Sequence, residues 1–261
     1  MIKLIAIDVD GTLLNSKAKI DKDTIDEIKR VKDKVKIVIT TGRMYAAIKE
    51  FIDILDINGK DNYSIINTGS QVVDNNGNFV VDNYLSLKDY EKVKDLSKGF
   101  DIQIVFYTKD EMFTIGKPNY ETKNDADYIK VPVSEFDGVD RHFGRIGFVG
   151  DRKEIDRFKD KFEQTLKKDY YTMRNETFLF EILPKESGKE KGLKELADIL
   201  NIDKEEIIAI GDKPNDLNMI KWAKIGVSMG QSSDSIKENS NYVTDTNDNN
   251  GVAKAIKKFI E

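Results

Sequence analysis

The stretch that decides the fold is Leu4-Ile5-Ala6-Ile7-Asp8-Val9-Asp10-Gly11-Thr12-Leu13-Leu14. Its first four residues are an apolar run of the length of a buried strand, and two carboxylates follow at once. In an open α/β sheet, ligands bind at the carboxyl ends of the strands, so Asp8 and Asp10 stand where an active-site crevice forms. Residues i and i+2 of an extended chain point the same way, and Gly11 lets the backbone turn tightly beneath a bound group. Taken alone, the stretch also reads as an acidic β-turn.

Working outward, similar apolar runs recur at Ile37 to Ile39, Ile65 to Ile66, Ile207 to Ile210 and Ile225 to Val227. Between them Ile25, Ile28 and Val31, then Met44, Ala47, Ile48 and Phe51, and later Leu193, Leu196, Ala197 and Leu200 have helical spacing. Strands alternating with amphipathic helices predict an α/β fold with a Rossmann-like parallel sheet. Val72 to Val81 reads instead as a hairpin turned at Asn76-Gly77. From about Tyr84 to Leu183 the pattern changes to alternating, aromatic-rich strands, Ile102 to Tyr107, Met112 to Ile115 and Thr177 to Leu183 among them, until Pro184-Lys185-Glu186-Ser187-Gly188 punctuates the return. The expected organisation is a core of residues 1–83 and 185–261 interrupted by an α+β domain over 84–184. At roughly 150 residues per domain, 261 residues accommodate both.

Composition narrows the chemistry. Lys and Arg number 42 against 47 Asp and Glu, for a formal charge of −5, and the basic residues are interspersed with acids, which argues against nucleic acid as a partner. Hydrophobic residues make up 39% and charged residues 34%, and no apolar run approaches the roughly 20 residues of a spanning helix, so no membrane association is expected. The first residues are too short an apolar run, and too soon acidic, for a secretory signal, so the expected location is cytoplasmic. There is no Cys, and His142 is the only His. Thiol nucleophiles and zinc-thiolate sites are excluded, and His-based mechanisms rest on one residue. What remains is carboxylate, Lys, Arg, hydroxyl and amide chemistry, and any metal would be a hard, oxygen-binding one.

Three further stretches carry candidates. Ile39-Thr40-Thr41-Gly42-Arg43 ends a strand where a hydroxyl and free amides precede a helix, an arrangement that suits an anion at Thr41 and Gly42 and equally an ordinary N-cap. Lys189 opens the Leu193 helix; in a Lys-rich chain the alternative is a solvated charge. Ile210-Gly211-Asp212-Lys213-Pro214-Asn215-Asp216 again ends a strand, bringing the strand-end carboxylates to four. Two unit charges about 5 Å apart at an effective dielectric near 20 repel by roughly 3 kcal/mol, so such a cluster calls for a cation. Oxygen-only ligands favour Mg²⁺.

The order and type of these motifs resemble the haloacid dehalogenase (HAD) superfamily of phosphatases: Asp-x-Asp-Gly-Thr-Leu-Leu from Asp8, Thr41-Gly42-Arg43, Lys189, and Gly211-Asp212 through Asn215-Asp216. Leu179 to Lys185, Val227-Ser228-Met229-Gly230, Tyr242 to Asp245 and Asn250-Gly251-Val252 extend the resemblance to its Cof-type branch with a class IIB cap, over essentially the whole chain. The resemblance implies a HAD-like core with an inserted cap, and a Mg²⁺-dependent phosphatase of small phosphorylated metabolites such as sugar phosphates, FMN or PLP. It makes Asp8 the nucleophile that becomes an aspartyl-phosphate and Asp10 the general acid and base. Thr41, Gly42, Lys189 and Asn215 would hold the phosphoryl oxygens, and Asp8, Asp10, Asp212 and Asp216 the metal. A phosphomutase on the same intermediate, and a phosphate-binding or phospho-aspartate module without turnover, are the alternatives. Oligomeric state stays open between monomer and weak dimer.

The chain departs from the family pattern in three places. Asn67-Thr68-Gly69-Ser70 stands where Asn-Gly-Ala is common, Gly188-Lys189-Glu190 where Ser-Lys-Gly is, and Gln231 follows Met229-Gly230 in place of Asn. In the cap, Arg141, His142, Arg145 and Arg174 are candidates for meeting the leaving group, with solvated surface charge as the alternative for each.

Overall fold

The computed structural model describes residues 1–260. In chain order the elements are β1 (Leu4–Ile7), α1 (Lys22–Val31), β2 (Lys36–Thr40), α2 (Lys49–Leu55), β3 (Tyr63–Ile66), β4 (Gln71–Asp74), β5 (Phe79–Asp82) and α3 (Leu87–Val93). They continue with β6 (Ile102–Tyr107), β7 (Met112–Thr114), α4 (Tyr120–Ile129), β8 (Val133–Glu135), β9 (Arg145–Gly150), α5 (Arg152–Leu166), β10 (Tyr171–Glu176) and β11 (Leu179–Leu183). The chain closes with α6 (Lys189–Leu200), β12 (Ile207–Gly211), α7 (Leu217–Trp222), β13 (Ile225–Ser228), α8 (Asp234–Lys237), β14 (Tyr242–Val243) and α9 (Gly251–Phe259). Two compact units contain them. One comprises residues 1–42, 49–81 and the described residues from 188 onward; the other comprises 43–48 and 82–187.

The first unit is built on an eight-stranded sheet of order β14-β13-β12-β1-β2-β3-β4-β5. The pairs from β14 through β3 are parallel, and β4 returns antiparallel to β3. Every residue of β1 and β12 is buried, as strands covered on both faces require, which explains why their sequences are unbroken apolar runs rather than alternating ones. Leu4, Ala6 and Ala209 pack with Leu193 and Leu196 of α6 on one face. Each fully buried Leu or Ile contributes roughly 1.5–3 kcal/mol. Because β1 and β12 are parallel neighbours, with Ile7 opposite Ile210, the residues that follow each strand emerge at the same sheet edge. The β4–β5 hairpin turns at Gly77 with φ +90°, and the Asp74 carboxylate accepts the Asn76 and Asn78 amides.

The second unit carries a six-stranded sheet of order β10-β11-β9-β6-β7-β8, antiparallel except for the β7–β8 pair. One face buries an aromatic core with Phe106, Phe148, Phe158 and Phe180, which packs α5 against the sheet. The other face buries Val105, Tyr107, Val149 and Leu179 with Ala126 and Ile129 of α4.

One helix reading requires correction. Met44, Ala47, Ile48 and Phe51 do not line a single crossover helix: Tyr45–Ile48 is a separate 3-10 turn, and α2 begins at Lys49. Met44 and Ala47 pack with Tyr107 and Val105 of the second unit, where the Ala46 amide also donates to the Lys109 carbonyl. Helical spacing records that these residues are buried, and it is silent on which core buries them.

Candidate active site

Four loops at the carboxyl edge of the parallel sheet supply the candidates. Asp8 follows β1, and its amide donates to the Ile210 carbonyl of β12. Its carboxylate is 4% exposed, with Oδ1 2.5 Å from Lys189 Nζ, while Oδ2 is buried without a hydrogen-bond partner. Gly11 has φ +89°, and a Cβ there would stand 2.5 Å from Asp212 Oδ2, so only glycine lets the β1 loop close on the β12 loop. The Thr12 hydroxyl donates to Asp212 Oδ1 at 3.0 Å, joining residues 200 positions apart. Asp10 is half-buried and bridges through its backbone to Leu14.

Lys189 is the first residue of α6 and is 2% exposed. Its ammonium also donates to Asp216 Oδ1 at 2.6 Å. Asp216, fully buried, turns its other oxygen back to accept the Asp212 and Lys213 amides, so one carboxylate shapes the loop after β12 and orients the lysine. Gly211 leaves room for it, since a Cβ there would lie 2.5 Å from that of Asp216.

Thr41 ends the β2 loop fully buried, and its carbonyl accepts the Thr68 amide; the Thr68 carbonyl in turn accepts the amide of Gly188, beside Lys189. Asn67, Thr68 and Gly69 all have positive φ, from 47° to 78°. For a β-branched residue such as Thr68 this is a strained backbone, held here by bonds on both sides. A Cβ on Gly69 would stand 2.1 Å from the Gly188 carbonyl. Asn215 is half-buried, with Oδ1 unpartnered.

Sequence reasoning assigned no role to Thr12, Thr68 or Gln231. Gln231 donates to the Gly11 carbonyl at 2.5 Å and accepts the Asn247 amide, so it supports the Asp10–Gly11 turn. The signal for Thr12 lay inside the first motif; for Thr68 and Gln231 it was the departure from the family pattern at their positions.

The electrostatics follow from the geometry. Carboxylate oxygens of Asp8, Asp212 and Asp216 lie within 4.8 Å of one another. Burial first, and then the negative neighbour Asp216, push the Asp8 carboxyl up to about 8 against the opposing charge of Lys189. Burial and Asp216 raise Asp212 in the same way. Burial disfavours the Lys189 charge, but Asp216 and Asp8 outweigh it and hold the ammonium above its ordinary range. Three carboxylates against one ammonium, an unpartnered Asp8 oxygen and an all-oxygen donor set fit a hard divalent cation. Asp10 lies outside this triad of acids.

The four cap candidates divide differently. Arg141 is engaged by both oxygens of Asp137, at 2.6 and 2.7 Å. His142 Nδ1 lies 2.6 Å from Asp82, its ring stacked 3.7 Å from that of Tyr84. Arg174 pairs with Asp156 and donates to the Thr177 carbonyl. Only Arg145 is buried, paired with Glu181.

A parallel α/β sheet whose strand-end loops gather acids around one buried lysine defines a HAD-like hydrolase. The chain belongs to the haloacid dehalogenase-like hydrolase family, whose profile matches residues 5–256. It is 31% identical over 283 residues to 5-amino-6-(5-phospho-D-ribitylamino)uracil phosphatase YwtE of Bacillus subtilis (strain 168), covering 99% of this chain and 98% of that protein. A haloacid dehalogenase-like hydrolase from Bacteroides thetaiotaomicron superposes with a TM-score of 0.92 at 26% identity, over 100% of both chains. BT1666 from the same species, described among phosphatases of the HAD superfamily, gives 0.83 at 29% identity over 99% of this chain and 95% of that one. The protein is an enzyme that hydrolyses phosphate monoesters. Among the described residues no helix is long and apolar enough to cross a membrane.

Proposed function

We propose that the chain is a Mg²⁺-dependent phosphatase of small phosphorylated metabolites, acting through an aspartyl-phosphate on Asp8. The observation that carries this reading is the buried Asp8 carboxylate held between Lys189 and the Asp212 and Asp216 carboxylates. Asp8, Asp212 and Asp216, with the Asp10 backbone carbonyl, would hold the cation. Bound there, Mg²⁺ supplies positive charge that offsets repulsion between the carboxylates and a phosphate dianion.

In the first step an Asp8 oxygen forms a bond to phosphorus as the bond to the leaving oxygen breaks, and Asp10 gives that oxygen a proton. In the second, Asp10 takes a proton from water as the water oxygen bonds to phosphorus and the Asp8–phosphorus bond breaks, releasing phosphate. Lys189, the Thr41 hydroxyl, the Gly42 amide and Asn215 bind the phosphoryl oxygens, where charge accumulates in the transition state. The segments 1–83 and 185–261 serve as catalytic core and 84–184 as an inserted cap. Asp8 carries two duties, and its buried carboxyl is ionised when that charge is offset. Sugar phosphates, FMN and PLP are the substrates to test first, and the YwtE name adds a phosphorylated ribityl compound. The proposed setting is the cytoplasm.

Phosphate release from such a panel with Mg²⁺, with EDTA and with Asp8→Asn tests the proposal. Turnover is expected only in the first condition; equal turnover in all three overturns it. Identification of the product by phosphorus NMR separates hydrolysis from isomerisation.

A further inference from the structure

Between β3 and β4 the chain passes through three successive residues with positive φ, Asn67 at 47°, Thr68 at 56° and Gly69 at 78°. Glycine enters this region freely and asparagine with little penalty, but the branched Cβ of a threonine crowds the following carbonyl there. Thr68 is fully buried, and its Oγ1 has no hydrogen-bond partner. A glycine at this position would carry neither cost. The side chains on either side close the turn: the Asn67 amide group donates to Gln71 Oε1 at 2.9 Å, and the Ser70 hydroxyl donates to the Asn67 carbonyl at 3.0 Å.

Thr68 sits where two other segments meet. Its amide donates to the Thr41 carbonyl at 2.9 Å, and its carbonyl accepts the Gly188 amide at 3.0 Å. Its Oγ1 lies 3.4 Å from the point a Cβ on Gly42 would occupy, so the hydroxyl rests against the backbone whose amide the phosphatase reading aims at phosphate. The next residue, Gly69, packs on the first turn of α6, where a Cβ on Gly192 would stand 3.0 Å from Gly69 Cα. Lys189 follows Gly188 directly. One strained residue therefore joins the turn that carries Thr41 and Gly42 to the helix start that carries Lys189, and all of them belong to the first unit.

We propose that Thr68 is a positioning residue, whose left-handed backbone sets the spacing between the Gly42 amide and the Lys189 ammonium so that both reach one phosphoryl group. The inference rests on the phosphatase reading above and deepens it by a residue that acts through Gly42 and Lys189 and contacts no reacting atom. Glycine at position 68 would let the turn sample both signs of φ, and the bonds to Thr41 and Gly188 would no longer be held at one separation. Binding of phosphate would then have to order two loosened groups, which lowers affinity for the part that every substrate shares. The identity of the leaving group should not matter to it.

The test uses the full chain with Mg²⁺ and measures the dissociation constant of inorganic phosphate by calorimetry, the urea denaturation midpoint, and kcat/KM on p-nitrophenyl phosphate and glycerol phosphate. In Thr68→Gly the midpoint should stay close to wild type, because relief of the strain and of the unpartnered hydroxyl offsets the loss of buried carbon and the greater freedom of the unfolded chain. Its phosphate dissociation constant should nevertheless rise on the order of 10-fold, with kcat/KM falling by a similar factor on both substrates. Thr68→Ser, which keeps the Cβ and the hydroxyl, should restore most of the lost affinity. Asn201→Gly, which relieves a left-handed residue at the C-terminal cap of α6, should bind phosphate as wild type does. Unchanged phosphate affinity in Thr68→Gly, a midpoint that falls in step with affinity, a loss confined to one substrate, no recovery in Thr68→Ser, or an equal loss in Asn201→Gly overturns the inference. A wild type that neither binds inorganic phosphate nor releases it from either substrate overturns the phosphatase reading itself, and this inference with it.

Discussion

Two sets of ion pairs in this chain use the same residue types under opposite conditions. In the second unit, Lys92–Asp89, Lys98–Asp95 and Arg157–Glu154 join residues three apart, and one helical turn suffices to bring each pair together. In the first unit Lys189 meets Asp8 across 181 positions and Asp216 across 27, which takes three loops at the edge of one sheet. The local pairs keep their basic groups exposed to water and are screened, so they stabilise little. The buried trio gathers two acids and one ammonium out of solvent, and burial with Asp216 pushes the Asp8 carboxyl up to about 8, an arrangement that costs stability and is typical of functional sites.

Substitutions should separate the two sets, beginning with the nucleophile. Asp8→Asn should lower phosphate release by on the order of 10³-fold or more in a steady-state assay, as loss of a covalent nucleophile does, while its melting temperature does not fall, because burial and Asp216 already disfavour the Asp8 charge that the amide lacks. Lys189→Met should be expensive for the fold too. It strands Asp8 and Asp216, and chemical denaturation should show roughly 3–5 kcal/mol of lost stability. Third, Mg²⁺ at about 100 times its dissociation constant should raise stability by roughly 2.7 kcal/mol, read as a shift in the denaturation midpoint that disappears with EDTA. The same addition should barely move a variant lacking Asp212, and an equal shift there would remove the acid triad from the metal site.

Gly69→Ala probes the frame and not the charges. Its left-handed φ of 78° alone costs roughly 1–2 kcal/mol, and the Cβ at 2.1 Å from the Gly188 carbonyl pushes the start of α6 away, so activity should fall further than stability predicts. Smallest of all, Lys98→Ala should leave melting temperature and turnover unchanged within error. A marked effect there would mean that the exposed pairs matter more than their solvent screening allows.

Much of the first unit was legible because a strand buried on both faces is rich in apolar residues: β1 is an unbroken apolar run, β12 is one up to its closing glycine, and β2, β3 and β13 carry shorter runs at Ile37 to Ile39, Ile65 to Ile66 and Ile225 to Val227. Asp8, Asp212 and Asp216 stood out as candidates for a related reason: strand ends are where parallel sheets expose loops, and these acids stand just after the runs; Lys189 stood out only through the family resemblance, since by itself it reads equally as a solvated charge. Segment 43–48 was not legible, since its apolar spacing serves a different core from the one expected. Nor were the partners of the four cap candidates. Arg141 and Asp137 are four positions apart and can meet locally, whereas Arg145 and Glu181 are 36 apart, and only strand register brings them together as a buried pair in a sheet face.

The sequence by itself determined the parallel sheet, the set of chemical groups available and the four stretches that carry them, because periodicity and composition are local properties that need no partner. The tertiary structure decided which oxygen of Asp8 meets Lys189, how Thr12 and Gly11 close on Asp212, and that Arg145 is the buried arginine among the candidates. Those outcomes depend on strand register and on the few tenths of an ångström that separate a tolerated contact from a clash, and neither is encoded in residue spacing alone.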